Sequence, residues 1–186
     1  MLTQNEFNDA QQRLMSAWHR GDLTKAFAEI DSVLGEGTPE MKGQCLLYRG
    51  MIRESQGSLD VAKQDWLKAL QYGQEGTFLR YELEHRVGEI CEKADASEEA
   101  LSWYRKALRT CSTGRQFSGN RTLTAFLRLS GDSFSPADNA LLASVIQTSW
   151  RVLEVPGEPD LIDLAASISA LTTRFNEMIT EATAES

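Results

Sequence analysis

Proline is scarce in this 186-residue chain, and the place where it is missing matters. The four prolines are Pro39, Pro136, Pro156 and Pro159, so none interrupts the stretch from Glu40 to Ser135. Proline breaks a helix by removing a donor and clashing with the preceding turn, so long helices can form there. Alternating β-branched runs are also absent, which leaves no strand signal. Cysteine is limited to Cys45, Cys91 and Cys111. An odd number without metal-ligand spacing points away from a disulfide framework and from a zinc site. No apolar run approaches the ~18 residues needed to span a bilayer. Met1 to Ala10 carries Asn5, Glu6 and Asp9 where a secretory leader needs a basic start and an apolar core. These absences predict an all-α, reduced, cytoplasmic protein without membrane association.

Basic charge is also short. Nineteen Lys and Arg face 27 Asp and Glu, giving a formal net charge of −8 and a pI near 4.9. A nucleic-acid binder needs a basic footprint for phosphates, so that class is excluded and a cationic protein partner is favoured. The acid excess sits in the two ends: residues 1–40 hold 7 acids and 3 bases, residues 41–114 hold 11 of each, and residues 115–186 hold 9 and 5. With 41% hydrophobic and 25% charged residues, the composition is that of a folded chain.

What is present is repetition. "DWLKALQYG" at Asp65 to Gly73 returns as "WYRKALRTC" at Trp103 to Cys111. Short breaks ("HRGDL", "SQGSL", "KADAS") precede Ala26, Ala62 and Ala100, which stand 36 and 38 residues apart. Four residues on come Ile30, Trp66 and Tyr104. Seven on come Val33, Ala69 and Ala107, and eight on come Leu34, Leu70 and Leu108. That spacing makes one helical face. Twelve before the alanines stand Leu14, Gly50 and Gly88; five before stand Gly21, Gly57 and Asp95. Such a unit reads as an αα-hairpin. Small pairs (Gly50/Ala62, Gly88/Ala100) would sit at the crossing, and the bulky residue one turn on would fill the groove to the next hairpin. A lone hairpin cannot bury both faces, so neighbours stack.

This pattern resembles the tetratricopeptide repeat over about residues 5–111. Gly50, Ala62, Trp66, Ala69 and Leu70 carry it in the second unit, about Gly43 to Gln74. Gly88, Ala100, Tyr104, Ala107 and Leu108 carry it in the third, about Tyr81 to Cys111. The first unit has Leu14 for the glycine, with Thr38-Pro39 near the family's closing proline. The signature Trp is replaced by Ala10, Leu46 and Glu84, and the spacing exceeds the usual 34. The resemblance implies a right-handed α-solenoid of three hairpins.

Residues 112–186 differ in pattern and are expected to form a C-terminal capping hairpin, packed with the array as one compact unit. The expected parts are a polar loop at 112–121 ("STGRQFSGNR") and helices at about 122–130, 136–154 and 160–182. Ser135-Pro136 reads as N-cap and first helical residue. Leu142, Val145, Ile146, Ser149 and Leu153 make one face of the second helix. Leu161, Leu164, Ala165, Ile168, Phe175, Met178 and Ile179 make one face of the third.

Catalytic patterns are missing. His19 and His85 are the only histidines. His85 and Cys91 lie six apart on one helix, turned about 240° from each other, too far round to form a dyad. Glu82, His85, Glu89 and Glu92 share one stripe, a donor set suited in type to a divalent metal. A charged stripe is more often a solvated helix face, so neither metal, cofactor nor catalysis is expected.

In tetratricopeptide proteins the first helix of each repeat lines a concave groove. The resemblance therefore implies a partner-binding groove of Asn8, Gln11, Met15 and Trp18, then Gln44, Leu47, Met51 and Glu54, then Glu82, His85, Glu89 and Glu92. One end is adaptable and one acidic; exposed Met and Trp suit anchor contacts, and the Glu groups would select a basic segment. The alternative reading places Met15, Trp18 and Met51 in the core. The function expected is non-catalytic: binding that sequesters or scaffolds a partner, preferentially a basic protein. Small size and acidity suit an immunity protein or a dedicated chaperone masking a toxin or effector. A regulatory adaptor for short peptides is the other class, although its usual Lys, Arg and Asn clamp is missing from the third repeat.

Overall fold

The computed structural model describes residues 1–114, 117–131 and 134–184. Those residues form nine α-helices and no strand. They are α1 (Gln4–His19), α2 (Leu23–Glu36), α3 (Pro39–Ser55), α4 (Leu59–Ala69), α5 (Phe78–Lys93), α6 (Ser97–Gly114), α7 (Asn120–Ser130), α8 (Pro136–Val152) and α9 (Leu164–Ala184). The chain divides into two compact units, Met1–Gln74 with α1–α4 and Glu75–Ser186 with α5–α9.

Local chemistry starts most of these helices. Thr3 and Glu6 form a reciprocal capping box on α1, and the side chains of Asp22, Thr38 and Thr77 cap α2, α3 and α5. Thr38-Pro39 thus opens α3. Ser135 accepts from the Asp138 amide at 3.1 Å with Pro136 in the first turn, as the sequence predicts. The last helix begins later than expected. Asp160 Oδ1 accepts from the Ile162 and Asp163 amides, and Asp163 Oδ1 accepts from Ala166, so a side-chain-bonded turn replaces the first expected helical turn.

Three hairpins, α1–α2, α3–α4 and α5–α6, share one turn. Gly21, Gly57 and Asp95 adopt φ of 76°, 76° and 57°, the left-handed conformation that ends a helix. The amides around them make the same two bonds each time. Gly21 donates to Trp18 O and Asp22 to Ala17 O; Gly57 to Glu54 O and Ser58 to Arg53 O; Asp95 to Glu92 O and Ala96 to Cys91 O, all at 2.9–3.0 Å. Asp is among the few non-glycine residues that tolerate this region, which lets the third hairpin dispense with glycine.

The expected inner face is buried: Ala26, Ala62 and Ala100, with Ile30, Trp66 and Tyr104, are all 0% exposed. Each aromatic lies on the glycine of its own hairpin. A β-carbon at Gly50 would overlap the Trp66 indole, and one at Gly88 would stand 2.5 Å from Tyr104 Cε1. Where the first hairpin has Leu14 instead of glycine, the aliphatic Ile30 replaces the aromatic, and both join one core. Large and small residues trade places across the crossing.

In the first unit α2 packs on α3, joining two hairpins. A buried ion cluster also ties α3 to α4: Asp65, 1% exposed, accepts from Arg49 at 2.8 and 3.1 Å and from Arg53 at 2.5 Å.

The second unit corrects the expected boundary at Cys111. Here α6 packs against α5, α7 and α8, so the third hairpin shares its core with the C-terminal helices. Leu142, Val145, Ile146, Ser149 and Leu153 at α8 are buried as expected. On α9, Ile168 and Leu171 are buried, whereas Met178 and Ile179 are exposed and Ala165 faces outward; Leu161, ahead of the helix, is exposed too. The expected loop at 112–121 is shorter, because α6 runs to Gly114 and α7 starts at Asn120. Arg115 and Gln116 of that loop lie outside the described residues. Phe117 anchors it, with its ring centroid 5.0 Å from that of Tyr81.

Candidate functional site

The acidic stripe of α5 is not an open face. Glu82 and His85 are buried at 7% and 2% exposure, and Glu89 and Glu92 are partly covered. The cover is α7. This helix turns Thr122, Leu123, Ala125 and Phe126 inward and carries Arg121 and Arg128 seven residues apart. Its entry is pinned where the Gly119 amide donates to Ser149 Oγ at 2.9 Å; a β-carbon at Gly119 would stand 2.7 Å from Val145.

The stripe and the arginines interlock. Arg121 reaches Glu82 Oε2 at 3.4 Å and Glu89 Oε1 at 3.6 Å, while Arg86 holds Glu82 Oε1 at 2.8 Å. Arg128 forms a two-point pair with Glu92, whose Oε2 also accepts from the Tyr104 hydroxyl at 2.8 Å. Thr122 Oγ1 lies 2.9 Å from His85 Nδ1 and 3.0 Å from the Tyr81 hydroxyl oxygen. Next to this, buried Glu84 accepts from Thr110 at 2.7 Å and Arg80 at 2.9 Å.

These surroundings set the charges. Burial alone would raise the Glu89 pKa, but His85, Arg86 and Arg121 outweigh it and hold the carboxyl at about 2. The Arg128 pair likewise keeps Glu92 below the usual carboxylate range. Glu84 goes the other way: burial raises it despite Thr110 and Arg80. Tyr104 is pushed up by burial and by its bond to Glu92. Glu89 and Glu92 are therefore held ionised, and the stripe is already matched by three guanidinium groups, those of Arg86, Arg121 and Arg128.

Between α5, α7 and α9 the second unit retains a cavity of about 560 Å³, lined among others by His85, Glu89, Tyr104, Arg121, Thr124 and Phe175. Among the described residues no group of three or more His, Cys, Asp and Glu is placed to hold a metal ion.

The other eight groove positions lie in the first unit. Asn8 is exposed; Gln11, Met15, Trp18, Gln44, Leu47, Met51 and Glu54 are half-buried. Met15 and Trp18 rest against the unit's core while keeping part of their surface outside. Gln11 donates to the Tyr48 hydroxyl, and an open depression runs along Gln11, Gln12, Met15, Ser16, His19 and Arg20.

Arg121, Thr122 and Arg128 escape a reading of the sequence, although arginines at i and i+7 flanking an apolar run do complement carboxylates at the same spacing. Asp65 escapes too, since an acid beside a core tryptophan gives no periodic signal.

No protein-family model and no curated protein sequence matches the chain. Its fold is similar to the crystal structure of BtubC (BKLC) from P. vanneervenii, with a TM-score of 0.61 and 16% sequence identity over 92% of this chain and 72% of that one. Likeness at that identity is one of fold alone.

Proposed function

We propose that this protein is a non-catalytic protein-binding module built from tetratricopeptide-like hairpins, which sequesters or scaffolds a basic partner. The observation that carries the reading is α7 itself. The acidic stripe of α5 takes an amphipathic helix with two arginines one face apart, which is the ligand chemistry that the stripe's charges select. The shared turn at Gly21, Gly57 and Asp95 and the Gly50/Trp66 and Gly88/Tyr104 interlocks support the repeat, in a right-handed solenoid arrangement.

Because α7 already neutralises Glu82, Glu89 and Glu92, a partner that uses this stripe competes with Arg121 and Arg128. The half-exposed Met15, Trp18, Leu47 and Met51 of the first unit provide apolar anchors without that competition. An immunity protein or dedicated chaperone is the biological role that fits such sequestration.

The test is to recover the native partner by co-purification and measure its kinetics by surface plasmon resonance. Trp18→Ala and Met51→Ala should each raise the dissociation rate about tenfold or more, the effect of losing one anchor. Binding indifferent to both, in protein of unchanged circular dichroism, rejects the first-unit face as the docking surface.

A further inference from the structure

The cavity between α5, α7 and α9 carries more positive than negative charge. Among the described residues that line it, the carboxylates Glu89 and Glu92 face the cations Lys93, Arg121 and Arg128. Both carboxylates are ionised at neutral pH, since each titrates below the ordinary range. His85 cannot reverse the balance, because an imidazole is either neutral or cationic. The side contributed by α9, with Thr172, Phe175 and Asn176, adds no charge. In a chain of net charge −8, a cavity with a cationic surplus runs against the charge of the whole molecule.

That surplus falls on Arg121. Arg128 meets Glu92 with a two-point pair, and Arg86 meets Glu82 at 2.8 Å. Glu89 has His85 Nε2 at 3.3 Å. Arg121 reaches Glu82 and Glu89 only at 3.4 and 3.6 Å, beyond the 2.7–2.9 Å of a strong charge-assisted bond. Those contacts come from Nη1 and Nη2, so at least three of the five guanidinium N–H groups remain for a ligand. The side chain is 40% exposed and can turn without disturbing the core.

We propose that this cavity binds a small organic acid, its carboxylate gripped by Arg121 and its apolar body resting on Phe175 and Ala125. A planar carboxylate takes two parallel N–H bonds from one guanidinium, a fit that a single ammonium does not offer. Phe175 and Ala125 line the cavity with apolar surface, and Asn176 offers a neutral amide to a second polar group. The cavity volume of about 560 Å³ falls in the range of small-molecule sites. This site does not rest on the protein-binding reading: a free acid would bind whether or not a partner does.

Benzoate is the probe, titrated into full-length ¹⁵N-labelled protein at low salt and followed by amide spectra. Saturable shifts should appear in α7 and α9 around Arg121 and Phe175, and benzyl alcohol should produce none. Arg121→Gln should weaken benzoate about tenfold or more, the usual worth of a charge-assisted hydrogen bond. Arg109→Gln removes the same charge from an exposed position outside the cavity and should leave binding unchanged. Phe175→Ala should weaken benzoate but not acetate, while Glu89→Gln should tighten benzoate by releasing Arg121. The spectra themselves report whether each variant is folded. Benzyl alcohol binding as well as benzoate overturns the proposal, as does inorganic phosphate binding as tightly, which would leave only a Coulomb effect. No saturable shift in α7 or α9 overturns it too.

Discussion

Tyr104 and Glu92 lie twelve residues apart, on α6 and α5, and the phenol donates to the carboxylate at 2.8 Å. The same tyrosine ring covers Gly88, and the same carboxylate holds Arg128 of α7. The close approach of one hairpin and the docking of the next helix are therefore parts of one network. A change at Gly88 should be felt at α7.

Gly88→Ala should destabilise the protein by about 1–3 kcal/mol through overpacking, despite the helix-propensity gain of about 1 kcal/mol that alanine brings. Gly35 is also helical, but a β-carbon there would meet no atom within 4 Å, so Gly35→Ala should be neutral or stabilising. Urea denaturation of the two variants checks the pair. Equal responses would mean that the Tyr104 ring yields.

Glu82→Lys should cost about 3 kcal/mol or more, because it places a third cation against Arg86 and Arg121 at a buried position. A solvated stripe would tolerate such a reversal; burial beneath α7 is the reason this one will not. Glu92→Lys should cost less, since Arg128 is 62% exposed and such pairs contribute little. Amide exchange should show α7 opening first in both variants.

Acid should unfold the second unit in a definite window. Glu89 has a folded-state pKa of about 2 against an ordinary 4.5, so its contribution is complete above about 4.5 and lost as pH falls toward 2. Glu92 and Asp138, also lowered by arginine partners, act in the same direction. Glu84 is raised by burial and opposes them, contributing most when protonated and less as pH rises. Thermal melts from pH 6 to 2 should show a shallower acid slope for Glu89→Gln than for the parent.

Native thiols should be inert at neutral pH. Burial pushes Cys45 and Cys111 up to about 12, and Cys91 is 1% exposed. A chromogenic disulfide should titrate none of them promptly in buffer and all three in denaturant. Rapid labelling of one thiol in the native protein would show local opening around it.

The sequence by itself determined the helices, the three hairpins and their inner faces, because each rests on spacing within about forty residues. Ala62 and Trp66, Ala100 and Tyr104, and the turn positions Gly57 and Asp95 were all readable as periodic signals. Only the tertiary structure decided what those faces meet. Periodicity places Glu82, His85, Glu89 and Glu92 on one stripe but cannot say whether water, a partner or another helix covers it. That answer came from Arg121, Thr122 and Arg128, 36 to 39 residues away in their pairings. Ion pairing is long in sequence and blind to register, so carboxylates at helical spacing accept any cation at the matching distance. In this chain α7 supplies that cation from within the same compact unit, and the boundary at Gln74 follows from the packing that brings it there.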